Sequence, residues 1–243
     1  TNTDINLRLV RAFAHLCNKK TDLAEAELQK IPASAMDDPF VNYAFATLSG
    51  KQGKAPVAIA YTKRAVELAP NFAWGYRTIA FLQERWLHQN NEAIANYRKA
   101  LSIEPKLFDA STALINLYIA NSQYDQAITV AKEAIANNPH KAAGYCQLAD
   151  IYIQQWRLNE AAQQLKKAVS VEPSNTQYYR QLAFILQKEG NLNDAIIAQS
   201  KAVDHSLDKS TDLVQLASLQ LMNNEPDAAL GSLKQAVETN PQK

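Results

Sequence analysis

The sequence predicts an all-α solenoid of helical hairpins, and three observations predict it. Proline recurs at Pro70, Pro105, Pro139, Pro173 and Pro241, separated by 35, 34, 34 and twice 34 residues, with Leu207 where the missing proline would fall. Two alanine series keep the same beat: Ala58, Ala93, Ala127, Ala161, Ala195 and Ala229, then, seven positions on, Ala65, Ala100, Ala134, Ala168, Ala202 and Ala236. Glycine is scarce, 6 of 243 residues, against a usual ~7%. So few glycines leave little material for hairpin turns, bulges and phosphate-cradling loops, which disfavours a β-rich fold and a Gly-rich nucleotide site.

Within one period, apolar residues recur at helical spacing in two segments, as in Tyr145, Leu148, Ala149 and Tyr152, then Leu158, Ala161, Ala162, Leu165, Ala168 and Val169. Each unit therefore reads as a helical hairpin. Ala149 and Ala161 mark the close approach of its two helices, and Ala168 the approach to the next hairpin, where a larger side chain would overpack. Proline then ends the second helix, because it lacks an amide donor and disfavours helical geometry in the residue before it. Taken in order, the units are 3–37, 38–71, 72–106, 107–140, 141–174, 175–208 and 209–243.

Residues 142–173 read AAGYCQLADIYIQQWRLNEAAQQLKKAVSVEP, and this stretch resembles a tetratricopeptide (TPR) repeat. The family's aromatic, Leu-small, aromatic, Ala, large apolar, Ala and Pro positions fall on Tyr145, Leu148-Ala149, Tyr152, Ala161, Leu165, Ala168 and Pro173. The resemblance implies a right-handed superhelical solenoid of about seven TPR hairpins, or about fourteen helices, with first helices lining a concave groove. The first repeat is degenerate: Phe13-Ala14 and Ala26 are expected in register, but Pro32 arrives early. Repeat three carries one extra residue near Trp86 to Gln89, and repeat four has Ile115 at a small-residue position. Trp86 and Trp156 fall in the turns within hairpins, where the family often has Gly, and are expected to cover the hairpin ends.

Lys plus Arg is 25 and Asp plus Glu is 24, a net charge of +1, so no bulk charge holds a nucleic acid or an anionic membrane surface. No apolar run reaches the ~18 to 20 residues of a membrane span, and the first twenty residues lack a signal-type core. Two cysteines make no disulfide framework, so the compartment, cytoplasmic or periplasmic, stays open. Cys17 is expected to be buried and inert, and Cys146 to be a small residue on the groove face. No GxGxxG, Walker A, HExxH or EF-hand sequence occurs, and His15, His88, His140 and His205 belong to four different repeats. The expectation is therefore no catalytic residue, no metal and no cofactor.

Function should be written on the groove face of the first helices. The candidate partner-binding residues are Arg8, Arg11 and His15 in repeat one, Phe40 and Tyr43 in repeat two, and Trp74, Arg77 and Phe81 in repeat three. Asp109 and Asn116, then Asp150, then Arg180 and Phe184 continue the set through repeats four to six. Arg followed four residues later by a ring recurs as Arg11/His15, Arg77/Phe81 and Arg180/Phe184, pairs that share a helix face. Rings interleaved with guanidinium groups suit a peptide with acidic and apolar side chains, although the same aromatics could instead fill space between neighbouring helices. The carboxylate clamp by which some relatives hold chaperone tails needs Lys or Arg and Asn at set positions, but the positions after Arg11 and His15 hold Ala44, Trp74 and Thr78. The register from Thr112 and Asn116 likewise meets Gln147, Gln177 and Gln181. The favoured reading is a non-catalytic protein-protein interaction scaffold holding an extended peptide or partner helix. The alternative is a substrate-recognition or assembly module of a larger enzyme or regulator. The chain opens on Thr1 rather than Met, as expected of a processed or trimmed chain. It finishes soon after Pro241 without a polar closing helix, so Leu230, Leu233 and Val237 are expected to face solvent and to support self-association.

Overall fold

In the computed structural model, which describes residues 2–240, every period folds into two helices, and Pro241 lies outside the described residues. Among them are fourteen α-helices and no strand. The first compact unit, ending at Asn121, holds α1 (Asn2–Cys17), α2 (Thr21–Leu28), α3 (Pro39–Lys51), α4 (Ala55–Leu68), α5 (Ala73–Leu82), α6 (Asn90–Ile103) and α7 (Phe108–Ala120). The second, beginning at Ser122, holds α8 (Tyr124–Asn137), α9 (Ala142–Gln154), α10 (Leu158–Val171), α11 (Thr176–Lys188), α12 (Leu192–His205), α13 (Lys209–Met222) and α14 (Pro226–Thr239). Within each unit a helix packs on the helices before and after it in sequence, which is how hairpins that cannot bury their own apolar faces build a shared core.

The prolines act as expected: α4, α6, α8 and α10 each stop two residues before Pro70, Pro105, Pro139 and Pro173. At the missing proline, α12 stops at His205 and Leu207 is fully exposed. Asp38 caps α3 by accepting from the Phe40 and Val41 amides at 2.7 and 3.3 Å, with Pro39 at the first helical position.

Both alanine series are buried throughout. A third buried series runs along the first helices: Ala12, Ala46, Ala80, Ile115, Ala149, Ala183 and Ala217. Ile115 is buried although the other repeats hold alanine at its position. The first hairpin corrects the expected register. Ala12 and Ala24 are its buried alanines, whereas Ala14 and Ala26 are exposed, because the hairpin turn sits two residues earlier than Phe13-Ala14 and Ala26 imply.

Each first helix ends on a residue in the left-handed region: Lys19, Gly53, His88, Ser122, Trp156, Gly190 and Asn224. In five hairpins the next amide closes a bond to the carbonyl five residues back, as in Lys54 to Ser49 and Arg157 to Tyr152, both 2.9 Å. In the third hairpin that bond runs from Gln89 to Gln83, six residues back, and Gln83–Leu87 form a π turn. The inserted residue is thus absorbed at the end of α5. The two tryptophans differ. Trp156 occupies the position favoured for Gly but is 82% exposed, so it does not cover its hairpin end, whereas Trp86 lies within the π turn, with His88 as the left-handed residue, and stands against Gly53 of the preceding hairpin turn.

Candidate functional site

The groove face of α3 and α5 carries the largest concentration of exposed rings. Phe40 (53% exposed) and Tyr43 stand one turn apart on α3, and Trp74 and Phe81 (both 43%) two turns apart on α5. Phe72, just before α5, is wedged edge-on against both α3 rings, with centroids 5.5 Å from Phe40 and 4.9 Å from Tyr43. Tyr43 is half-buried, and its hydroxyl shares a hydrogen bond with the Thr78 hydroxyl at 3.3 Å. It is therefore a fixed wall, while Phe40, Trp74 and Phe81 offer open faces. Arg77 lies over the Trp74 ring at 5.9 Å and reaches Asp109 of α7 at 3.6 Å. Beside them, a cavity of about 820 Å³ opens between α3 and α5 toward the π turn, lined by Tyr43, Thr47, Lys51, Arg77, Phe81 and Trp86 among others. The Tyr97 hydroxyl donates to Glu84 at 2.9 Å, and burial first, then the Glu84 charge, raise the phenol's pKa well above its ordinary value.

The structure places the candidates of repeat one differently from the sequence reading. Arg8 pairs with Asp4 at 3.0 Å and with Glu27 of α2 at 3.5 Å, so it spans its own hairpin instead of the groove. Arg11 is exposed and His15 half-buried. With the register corrected, the residue that joins the α3 rings is Phe13, whose centroid is 6.0 Å from that of Tyr43. A shift of two residues turns a helix by roughly 200° and so exchanges its faces.

In the second unit, Arg180 grips Asp212 of α13 through two bonds, Nε at 2.7 Å and Nη2 at 2.6 Å, and reaches the Ser206 hydroxyl at 3.3 Å. The Asp212 side chain is 2% exposed and also accepts from Gln199 at 3.2 Å. Burial alone would raise this carboxyl's pKa. The donations from Arg180, Ser206 and Gln199 overcome that and hold it below the usual value. Arg180 is thereby a structural clamp. Phe184, 54% exposed with the Lys188 ammonium 5.3 Å from its ring centroid, remains on the surface. Asn116 and Asp150 are also exposed, on α7 and α9.

Both cysteine expectations reverse. Cys17 is exposed, because it lies one step past the buried stripe of Leu9, Ala12 and Leu16. Cys146 is buried, with a hydrogen bond from Tyr178, and burial first, then Asp150, pushes its thiol up to about 12. Among the described residues no three His, Cys, Asp or Glu side chains are grouped to hold a metal ion. No helix among them is long and apolar enough to cross a membrane. The signal that sequence reasoning missed is the carboxylate 32 residues after two of the groove arginines, Asp109 after Arg77 and Asp212 after Arg180.

These helices define a helical-hairpin repeat protein with an aromatic groove face. The tetratricopeptide repeat family model matches residues 87–148 and 118–183, and over those residues the chain reads as tetratricopeptide repeats. No curated protein matches the sequence. Among solved structures, the C-terminal part of a TPR repeat-containing protein from Cytophaga hutchinsonii aligns over 97% of this chain and 96% of its own, at 13% identity and TM-score 0.75. YrrB, described as a TPR protein with an unusual peptide-binding site, aligns over 74% of this chain and 93% of its own at 19% identity and TM-score 0.57. PilF of Pseudomonas aeruginosa aligns over 86% and 94% at 16% identity and TM-score 0.58.

Proposed function

We propose that the protein is a non-catalytic interaction scaffold that holds an extended peptide or partner segment against α3 and α5. The observation that carries this reading is the cavity of about 820 Å³ between those helices, flanked by the open faces of Phe40, Trp74 and Phe81 with Arg77 over Trp74. Exposed aromatics beside an arginine are the groups that most often dominate interface energy, and rings held by packing lose little freedom on binding. YrrB, of the same fold, is described as having a peptide-binding site, which agrees with this use. The groups present favour apolar and acidic ligand side chains.

The test is a random peptide library selected on the whole chain, followed by titration of the enriched peptides against Trp74→Ala and Phe81→Ala. The expected loss is about 10- to 30-fold in affinity with thermal melting little changed. A large drop in melting temperature with unchanged affinity would instead make these rings packing residues.

A second surface has its own observation. Leu230, Leu233 and Val237 of α14 are exposed, while the corresponding Ala162 and Leu165 of α10, against which α11 packs, are buried. Self-association through this strip would be seen by light scattering, and replacing all three residues by Lys should abolish it. Equal, monomeric behaviour of both proteins would remove the surface.

A further inference from the structure

The cations of the first unit are unevenly placed. In its first three hairpins the turn between the two helices holds Lys19 and Lys20, then Lys51 and Lys54, then Arg85, and the segments 17–20, 51–54 and 85–89 contain no carboxylate. At the other end of the same hairpins, the segments 29–38, 69–72 and 104–107 hold Lys30 and Lys106 against Asp37, Asp38 and Glu104. All five turn cations are exposed and make no ion pair among the described residues. The three turns are neighbours: Gln52 of the second donates to Glu25 of α2 at 2.9 Å, and Trp86 of the third lies 4.0 Å from where a Cβ on Gly53 would stand. Of the carboxylates in the adjoining helical turns, Glu25 is engaged by Gln52 and Glu84 by the Tyr97 hydroxyl, while Asp22 and Glu92 are exposed in the first turns of α2 and α6. Beside the cations, Trp86 and Leu87 are exposed on the π turn. Two of the lysines also stand where the fold gives them no support. Lys20 and Lys54 immediately precede α2 and α4, and neither side chain caps its helix. That position favours Ser, Thr, Asp or Asn, and the positive end of the helix dipole repels an ammonium there. In the fifth hairpin Arg157 holds the same place but pairs with Glu160 at 2.7 Å. Unpaired lysines at this position in two successive hairpins work against stability, which points to a use outside the fold.

We propose that this basic turn face of the first unit docks on an anionic membrane surface, with Trp86 and Leu87 entering the headgroup region. The net charge of +1 excludes a field over the whole chain but not a local one. Charge complementarity brings the turn face to anionic lipids, each cation near the surface adding to the attraction, and an exposed tryptophan is the ring that settles among headgroups. Cations and an apolar anchor together make the two signals that peripheral attachment needs. A soluble polyanion would use the five charges and leave Trp86 and Leu87 in water. The inserted residue of the third hairpin builds the anchor, since the π turn carries both apolar side chains. The proposal is independent of the groove reading.

The experiment sediments the whole chain with vesicles of phosphatidylcholine containing about 30 mol% phosphatidylglycerol, against phosphatidylcholine alone. Binding is expected to the anionic vesicles only, and to fall with salt. Lys20→Ser with Lys54→Ser should weaken it about 20-fold, at roughly fivefold per cation, with the melting temperature unchanged or higher. Trp86→Ser should weaken binding about fivefold and remove the blue shift of tryptophan fluorescence on vesicles. Trp156→Ser, also at a hairpin turn but beside the paired Arg157, should leave both in place. Lys20 and Lys54 lie outside the lining of the cavity between α3 and α5, so their replacement leaves peptide affinity unchanged and the two readings stand or fall separately. Failure to bind anionic vesicles, or binding indifferent to the two lysines, overturns the proposal. So does a loss of binding that only follows a fall in melting temperature, which would make the lysines structural. Vesicle binding that survives Trp86→Ser, with single-stranded RNA or polyglutamate bound as tightly, also overturns it, because the turn face would then serve soluble polyanions.

Discussion

Replacing Arg180 by Ala is expected to destabilise the second unit, whereas the matching change at Arg77 is not. Removing one partner from a buried pair costs about 3–5 kcal/mol, because the remaining charge is left uncompensated. The Asp212 side chain is 2% exposed and the Arg180 side chain 40%, so water can partly replace the guanidinium. This lowers the expected loss to about 2–3 kcal/mol, or about 5–10 °C in the midpoint of a chain this size. Arg77 meets Asp109 at 3.6 Å between side chains 30% and 71% exposed, and pairs of that kind contribute about 1 kcal/mol or less. Melts followed by far-ultraviolet circular dichroism compare the two variants directly. The pH dependence supplies a second check. The Asp212 carboxyl is held below its ordinary pKa, so its contribution is present above the ordinary carboxylate range and is lost as pH falls through the folded-state value. Without Arg180 the burial that remains raises the pKa, so the gap between wild type and variant should be largest at neutral pH and shrink on acidification. Equal losses at the two arginines, or a gap that widens in acid, would refute the assignment of Arg180 as a clamp.

A Cβ on Gly75 would overlap the Val66 side chain, so Gly75→Ala should cost about 1–3 kcal/mol despite its better helix propensity, and Val66→Ala should recover part of that loss in the double variant. Trp156 is exposed and left-handed, at φ 58°, so Trp156→Gly should raise stability by about 1 kcal/mol; an unchanged or lower midpoint would show that the ring has a contact to lose. A thiol reagent at mildly alkaline pH should label Cys17 quickly and leave Cys146 unreacted until the chain unfolds, as read by mass spectrometry. Labelled duplex DNA or RNA at ~150 mM salt should show no submicromolar binding, because the net charge is +1 and both Arg77 and Arg180 meet carboxylates.

The period, the hairpin character and the fourteen helices were legible in the sequence, because small residues at helix crossings and prolines at helix ends are dictated locally by sterics and by the missing amide donor. The extra residue near Trp86 was legible too, but not its accommodation in a π turn that moves Arg85 and Trp86 onto a cavity. In the first repeat the pattern was weak enough to misplace Ala12 and Ala24 by two residues, and with them the face on which Arg8 stands. At the site, the sequence placed Arg77 and Arg180 at equivalent positions, yet one lies on a tryptophan with a long, exposed partner and the other is bound twice to a buried carboxylate. Periodicity determines which way a residue points from its own helix; what it meets there is supplied by the next hairpin, some thirty residues on, through the packing of a particular pair. Which groove arginine is available to a partner and which is committed to the fold was therefore decided only by the tertiary structure, because burying Asp212 obliges a nearby guanidinium to pair with it, whereas the exposed Asp109 is satisfied by water.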